Sequence, residues 1–297
     1  MYYIIGLLIL VILYFTVGMI ASIKLRIRKF YISDKNAKPL RGFCIVLISD
    51  LHGRTIGKNQ RKLADAILKQ KPDILLMAGD MIDAYDKDAQ AAKELVSQLN
   101  GKVEMIAVRG NHFYKACKNA KSDMEDSFSS NGVTSLKNDR KCITYKDRKV
   151  CIDGVDDPIA TAVHEHGDKK KTRLNRNRVV TKSNLAKMLN DNDHSDYKIL
   201  LIHRPTDTDL FEHCDYDLAL SGHTHGGQLA LPFGIEPLGD EVSILPPKNM
   251  QSGLHYHNKM PLIITTGIGY SNIKIRTFMP PEIVVITFGD NGNANKI

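Results

Sequence analysis

FCIVLIS (residues 43–49), DILLMA (73–78), VEMIAV (103–108), YKILLI (197–202) and YDLALS (216–221) are short, β-rich and almost continuously apolar. Runs of this kind mark strands buried on both faces, which sheets of largely parallel strands require and open antiparallel sheets do not. Between the first three lie NQRKLADAILKQ (59–70) and DAQAAKELVSQL (88–99), with apolar residues three to four apart. The order is therefore β-α-β-α-β, a parallel sheet with crossover helices. CITYKDRKVCI (142–152) reads as a hairpin turning at Lys146 to Arg148, and LIITT (262–266) and EIVVITF (282–288) add further strands. The stretch from His164 to Arg178 is polar and basic and reads as loop.

Each of the five runs ends in chemistry. The first leads into Asp50 and His52, the second into Gly79-Asp80 with Asp83 beyond, the third into Gly110-Asn111-His112. The fourth leads into His203 and the fifth into Gly222-His223-Thr224-His225. Taken singly these are ordinary: an acidic cap, two glycine turns, an interior histidine. SGHTHGGQ (221–228) is less ordinary, because two histidines sit on glycine-rich backbone that can turn sharply and approach an ion. At roughly 5% usage per residue, G-H-x-H arises by chance at about one position in 8,000. In open α/β sheets ligands bind beyond the carboxyl ends of the strands, so five such clusters at five strand ends converge on one place.

This arrangement resembles the calcineurin-like metallophosphoesterase superfamily, whose D-x-H, G-D-x-x-D, G-N-H, H and G-H-x-H pattern stands here over residues 43 to 288. It is most similar to the membrane-anchored bacterial branch with G-H-T-H-G-G-Q, and GVDDP (154–158) and GIGYSNIKIRTFMPPEI (267–283) match elements of that branch. The resemblance implies an α/β fold in which two mixed β-sheets pack as a sandwich flanked by helices. It also implies one metal ion on Asp50, His52 and His225, a second on Asn111, His203 and His223, and Asp80 bridging. Carboxylate, amide and imidazole ligands without thiolate suit Mn²⁺, Fe²⁺ or Zn²⁺, and a pair of such ions activates water for in-line attack on phosphorus. His112 would neutralise the phosphate or protonate the leaving group, with Asp83 orienting its ring. Many members carry an acid after G-N-H where Phe113 stands here, which leaves Asp83 as the expected support. Arg54 is a candidate phosphate contact; His164, His166, His255 and His257 lie in polar, loop-like sequence outside the ligand pattern.

Residues 2 to 23 carry no charge, and at about 1.5 Å per residue they span roughly 33 Å as a helix, the thickness of a bilayer core. No cation precedes them, whereas Lys24, Arg26, Arg28 and Lys29 follow at once. A cleavable signal usually has a charged start and a shorter apolar stretch. The expectation is a single-pass cell-membrane anchor (1–23), a basic juxtamembrane linker (24–41) and a cytoplasmic catalytic domain (42–297). The net charge of +8 is local: residues 24 to 41 hold +6 and residues 169 to 178 another +6, leaving the remainder at −4. An acidic main body argues against a nucleic-acid partner, while the first patch suits anionic lipid. The second is a solvated loop or an anion clamp. Five cysteines without C-x-x-C read as free thiols in a reducing compartment.

The expected activity is hydrolysis of a phosphodiester or pyrophosphate in a phosphorylated small molecule or membrane lipid precursor. A metal-dependent nuclease or nucleotide phosphodiesterase, and a non-catalytic scaffold on the same fold, are the alternatives. The complete set of seven ligand positions disfavours the scaffold.

Overall fold

The computed structural model describes residues 2–85, 88–120, 126–157, 195–211, 214–229, 251–270 and 274–289. Residues 164–178, with His164 and His166, lie outside that set.

Two six-stranded mixed sheets pack face to face. The first has the order β1(Arg26–Ile32), β12(Glu282–Phe288), β2(Cys44–Ile48), β3(Ile74–Ala78), β4(Glu104–Val108) and β5(Val133–Leu136). The second runs β10(Gly253–His257), β11(Met260–Ile264), β9(Leu218–Ser221), β8(Tyr197–Ile202), β7(Arg148–Val155) and β6(Asp139–Tyr145). β2 to β5 are parallel, as are β11, β9, β8 and β7; β12 pairs antiparallel to β2, and β10 and β6 close the second sheet antiparallel.

The two-residue alternation of strand side chains distributes the apolar residues among three cores. Ile45, Leu47, Ile74, Leu76, Ile106 and Val108 of the first sheet meet Ile152, Tyr197, Ile199, Leu201, Leu218 and Ile263 of the second in the layer between them. The opposite faces of the same strands (Val46, Ile48, Leu75, Met77, Met105) are covered by α2(Arg61–Leu68), α3(Gln90–Leu99) and the start of α4(Asn111–Ala120). Leu200, Ile202, Ala219, Leu262 and Ile264 form the outer core of the second sheet with Phe211 and Tyr216. Strands apolar on both faces are thus sandwiched on both sides, as their sequences require.

α1(Tyr2–Ala21) is a 20-residue helix whose apolar side chains are exposed along nearly all its length, long and apolar enough to cross a membrane. Gly18 is its one buried residue.

Three expectations need correction. The segment read as a linker contains β1, a strand of the first sheet: Arg26 to Ile32 pair in parallel with Glu282 to Phe288. Phe30 and Ile32 are buried in the core between the sheets, while Arg26 and Arg28 reach the fully buried Glu282 at 2.5 and 3.0 Å. Two of the charges that suggested a juxtamembrane spacer on anionic lipid therefore neutralise a buried carboxylate, which would otherwise be strongly destabilising. Second, Cys142 and Cys151 are joined by a disulfide across the β6–β7 hairpin, so two of the five cysteines are paired, while Cys44, Cys117 and Cys214 are not disulfide-bonded. The hairpin turns at Lys146-Asp147, both at positive φ as a tight two-residue turn demands. Third, His255 and His257 lie on β10 rather than in a loop.

Candidate metal centre

The carboxyl ends of β2, β3 and β4 in one sheet face those of β8 and β9 in the other, and the five polar clusters meet there. The junction is tight. A Cβ on Gly222 would lie 2.3 Å from Ser49 Oγ, and one on Gly110 would lie 2.1 Å from Asp80 Oδ1. Asp50, His52, Asp80, His223 and His225 all hold positive φ, between 46° and 71°. Such backbone is uncommon for residues other than glycine and is retained where the surroundings over-determine it, often at functional sites.

Two groups of ligand atoms emerge. In the first, Asp50 Oδ1 stands 3.7 Å from both His52 Nε2 and His225 Nε2. These are too far apart to hydrogen bond, and both Asp50 Oδ1 and His52 Nε2 are buried with no hydrogen-bond partner. Buried polar atoms left this way are rare and call for an occupant. The other oxygen of Asp50 accepts from Ser49 Oγ and, at 3.0 Å, from the His223 amide.

The second group surrounds His203. Its Nδ1 donates to the Ala78 carbonyl at 2.8 Å, which turns Nε2 toward Asp80 Oδ2, Asn111 Oδ1 and His223 Nδ1, each 3.2 Å away. A single nitrogen cannot satisfy two oxygens and another imidazole unless positive charge sits between them. Burial disfavours charge on His203, but the adjacent Asp80 carboxylate outweighs it and raises the pKa to about 9. Burial also resists ionisation of Asp80, yet His203 holds its pKa well below the usual range. The site wants a cation here, which a proton or a divalent ion can supply.

Asp80 joins the groups. Its Oδ2 lies 3.2 Å from His203 Nε2 and 3.7 Å from His52 Nε2, while Oδ1 accepts from the His112 amide at 2.7 Å. That amide belongs to the first turn of α4, whose free N–H groups favour a carboxylate. Three sets of side chains here have the spacing of metal ligands: Asp50, His52 and His225; His52, Asp80 and His112; Asp80, His203 and His223. The donor set, the unpartnered atoms and the shared carboxylate all fit a pair of divalent ions.

Two arginines went unrecognised in the sequence. Arg204 Nη1 donates to His223 Nε2 at 3.0 Å and its Nε pairs with Asp157 at 2.7 Å, which gives the GVDDP motif a task. Arg276 Nη2 donates to His225 Nδ1 at 3.2 Å and is tied to the Thr266 and Gly269 carbonyls. Each guanidinium donates to the ring nitrogen that faces away from the centre, which leaves the proton of the neutral ring on the inward nitrogen; an ion would bind there only after that proton leaves or moves outward. Burial lowers the pKa of His223 strongly, with Arg204 adding to the effect. Burial takes His225 to about 3 against the pull of Asp50, with Arg276 also opposing its charge. Neutral imidazole is the form that binds metal. The adjacency of Arg204 to His203, and of Arg276 to the apolar TFMPP, were the available signals.

Asp83 does not orient His112 as expected. Its Oδ2 is 4.0 Å from His112 Nδ1, and that nitrogen instead accepts from the Ala84 amide at 3.1 Å. A backbone donor does the work because the Asp80–Ala84 turn wraps round the ring; Asp83 Oδ2 lies nearer His52 Nδ1, at 3.7 Å. Accepting at Nδ1 leaves the proton of neutral His112 on Nε2, and burial lowers its pKa, favouring that form. Arg54 is held by the Ile268 carbonyl (2.8 Å) and lies over the Tyr270 ring at 4.5 Å. Tyr270 in turn lines a groove of about 370 Å³ that begins at His52 and Asp83 and is walled by Tyr85, Glu94 and Lys274. His255 and His257 belong to the strand β10 and are absent from the three ligand sets among the described residues.

Residues 44–227 match the family model for calcineurin-like phosphoesterases. Among curated proteins, the chain is 28% identical to "Uncharacterized metallophosphoesterase YkoQ" of Bacillus subtilis, over 87% of this chain and 88% of that one. It is 26% identical to "Phosphodiesterase YaeI" of Escherichia coli, over 84% and 83%. A similar match, 26% over 85% of this chain, is to a "Transmembrane protein with metallophosphoesterase domain" of Danio rerio, and spans about half (54%) of that longer protein.

Proposed function

The chain belongs to the calcineurin-like phosphoesterase family, and from that premise we propose that it hydrolyses a phosphodiester or pyrophosphate bond borne by a membrane lipid, at a centre of two divalent ions. Asp50, His52 and His225 would hold one ion, Asn111, His203 and His223 the other, with Asp80 shared. Bound there, the ions would supply Lewis-acid activation of water and neutralise phosphate charge. The observation that carries the reading is the convergence of Asp80 Oδ2, Asn111 Oδ1 and His223 Nδ1 at 3.2 Å around His203 Nε2, beside the unpartnered Asp50 Oδ1 and His52 Nε2.

The chain's own residues do the rest. Arg204 and Arg276 fix the outer ring nitrogens, so His223 and His225 turn their remaining nitrogens inward. His112, held through Nδ1 by the Ala84 amide, offers Nε2–H to the phosphate or leaving oxygen. The groove from His52 to Lys274 receives the remainder of the substrate, with Arg54 steadying Tyr270 and adding positive charge to that wall.

α1 supports the lipid part of the reading, because anchoring raises effective concentration only for substrates held in the same bilayer. The full chain in vesicles, given Mn²⁺, is expected to hydrolyse a chromogenic diester and to lose that activity on chelation. It should favour a long-chain lipid pyrophosphate over its short-chain soluble analogue by at least ~10-fold in kcat/KM. Absence of hydrolysis with Mn²⁺, Fe²⁺ or Zn²⁺ overturns the centre; equal rates on the two lipids overturn the membrane substrate alone.

We place the domain on the cytoplasmic side. The cations at 24 to 29 act directly on insertion, whereas the Cys142–Cys151 contact, which alone would favour an oxidising compartment, follows from hairpin register. A reporter fused after Ile297 that is active only outside the cell should be silent; its activity reverses the assignment.

A further inference from the structure

We propose that α1 is a rigid bearing rather than a tether: it presses the segment 276–281 into the lipid interface and sets the depth at which the His225 side of the metal centre meets the bilayer. This rests on the reading of α1 as a membrane span.

The last two turns of the helix are fastened to that segment. The Phe278 amide donates to the Gly18 carbonyl at 3.0 Å, Tyr14 Oη pairs with Thr277 Oγ1 at 2.9 Å, and the Met279 amide donates to Ser22 Oγ at 3.0 Å. The Tyr14 and Phe278 rings lie 5.7 Å apart. Past the helix, the Arg26 amide donates to the Pro281 carbonyl at 2.8 Å and the chain enters β1. Gly18 admits no side chain, since a Cβ would stand 2.7 Å from Thr277 Cβ.

The other side of the segment faces the metal centre. The Thr277 amide donates to the Gln228 carbonyl at 3.0 Å, Arg276 donates to His225, and a Cβ on Gly226 would strike the Met279 sulfur at 2.8 Å. A few residues therefore separate the helix from a metal-ligand histidine. Tyr14 precedes the last helical residue by seven positions, about 10 Å of rise, so its partner Thr277 lies alongside the helix rather than beyond its end. That places Thr277 and Phe278 on the bilayer side of Lys24, where the headgroups meet the acyl chains. Ile23 (66%) and Ile27 (39%), just past the helix, are exposed, apolar surface that a bilayer covers and water would not.

The chain contains no tryptophan, so Phe278→Trp in the full chain reports from one place. In vesicles of brominated phosphatidylcholine with anionic lipid, its emission should be blue-shifted and quenched. Adding Gly18→Leu should relieve the quenching and lower kcat on a soluble diester roughly 10-fold with KM little changed, because the displaced Arg276 no longer seats His225. A red-shifted, unquenched indole in a chain that resists alkaline extraction overturns the bearing and leaves the anchor standing. A chain that alkaline washing releases overturns the anchor itself. Unchanged kcat in the Gly18→Leu variant rejects the link to the centre.

Discussion

Asp80→Asn is expected to lower kcat/KM by at least ~10³-fold, equivalent to about 4 kcal/mol of transition-state stabilisation. Asp80 reaches both ligand groups, with Oδ2 at 3.2 Å from His203 Nε2 and 3.7 Å from His52 Nε2. The amide keeps the shape and can still accept from the His112 backbone through its oxygen. It removes the negative charge, however, and presents NH₂ hydrogens where a ligand lone pair is needed. Folding should survive, since a buried anion surrounded by histidines is replaced by a neutral isostere. The check is steady-state hydrolysis of a chromogenic diester alongside thermal denaturation. Wild-type turnover in the folded variant would show that Asp80 is not shared between metals.

Gly110→Ala should damage the centre without replacing a ligand. The new methyl would lie 2.1 Å from Asp80 Oδ1 and 2.5 Å from the Asp80 amide nitrogen, distances at which backbone or carboxylate must move. Overpacking of this kind costs about 1–3 kcal/mol of stability. A shift near 1 Å at a catalytic group can cost on the order of 10²-fold in rate. Activity should therefore fall ~100-fold while the melting temperature drops by only several degrees, about 2–4 °C per kcal/mol at this size. Full activity would mean that the Asp80 carboxylate is not held where β3 and β4 place it. The loss differs from Asp80→Asn in kind: the ligand stays charged and is merely misplaced.

The parts of the fold that were legible are those whose information is local. β2, β3, β4, β8 and β9 are apolar on both faces because each is covered twice, and that doubling is written into four to six consecutive residues. The residues that gather at the sheet junction were legible for the same reason, since each closely follows a strand that aims it. β1 was not. RIRKFYI has only Phe30 and Ile32 fully inside, and the partner that explains Arg26 and Arg28 is Glu282, more than 250 residues away. Read alone, its charges suggest a spacer on a lipid surface. Only the pairing with β12 shows them neutralising a buried acid.

The support of the histidines was hidden similarly. Arg204 and Arg276 are unremarkable cations until the two sheets bring them behind His223 and His225. His112 shows the limit of reasoning from residue types. An acidic side chain was expected to hold its ring because Asp83 stood three residues beyond Asp80, yet a backbone amide from Ala84 does so. Backbone donors carry no signature in sequence. The Cys142–Cys151 pairing, by contrast, was available: a hairpin turning at 146 and 147 sets those two residues opposite one another.

The proposed centre has seven side chains at the junction of two sheets holding two divalent ions. Its most direct test is metal content by elemental analysis of the full chain, stripped with a chelator and then titrated with Mn²⁺ while diester hydrolysis is followed. Binding is expected to saturate at two ions per chain, with activity returning in step with the second. In Asp80→Asn the same titration should leave at least one of those ions unbound. Hydrolysis by the stripped chain, or saturation without a bound ion, would contradict that centre.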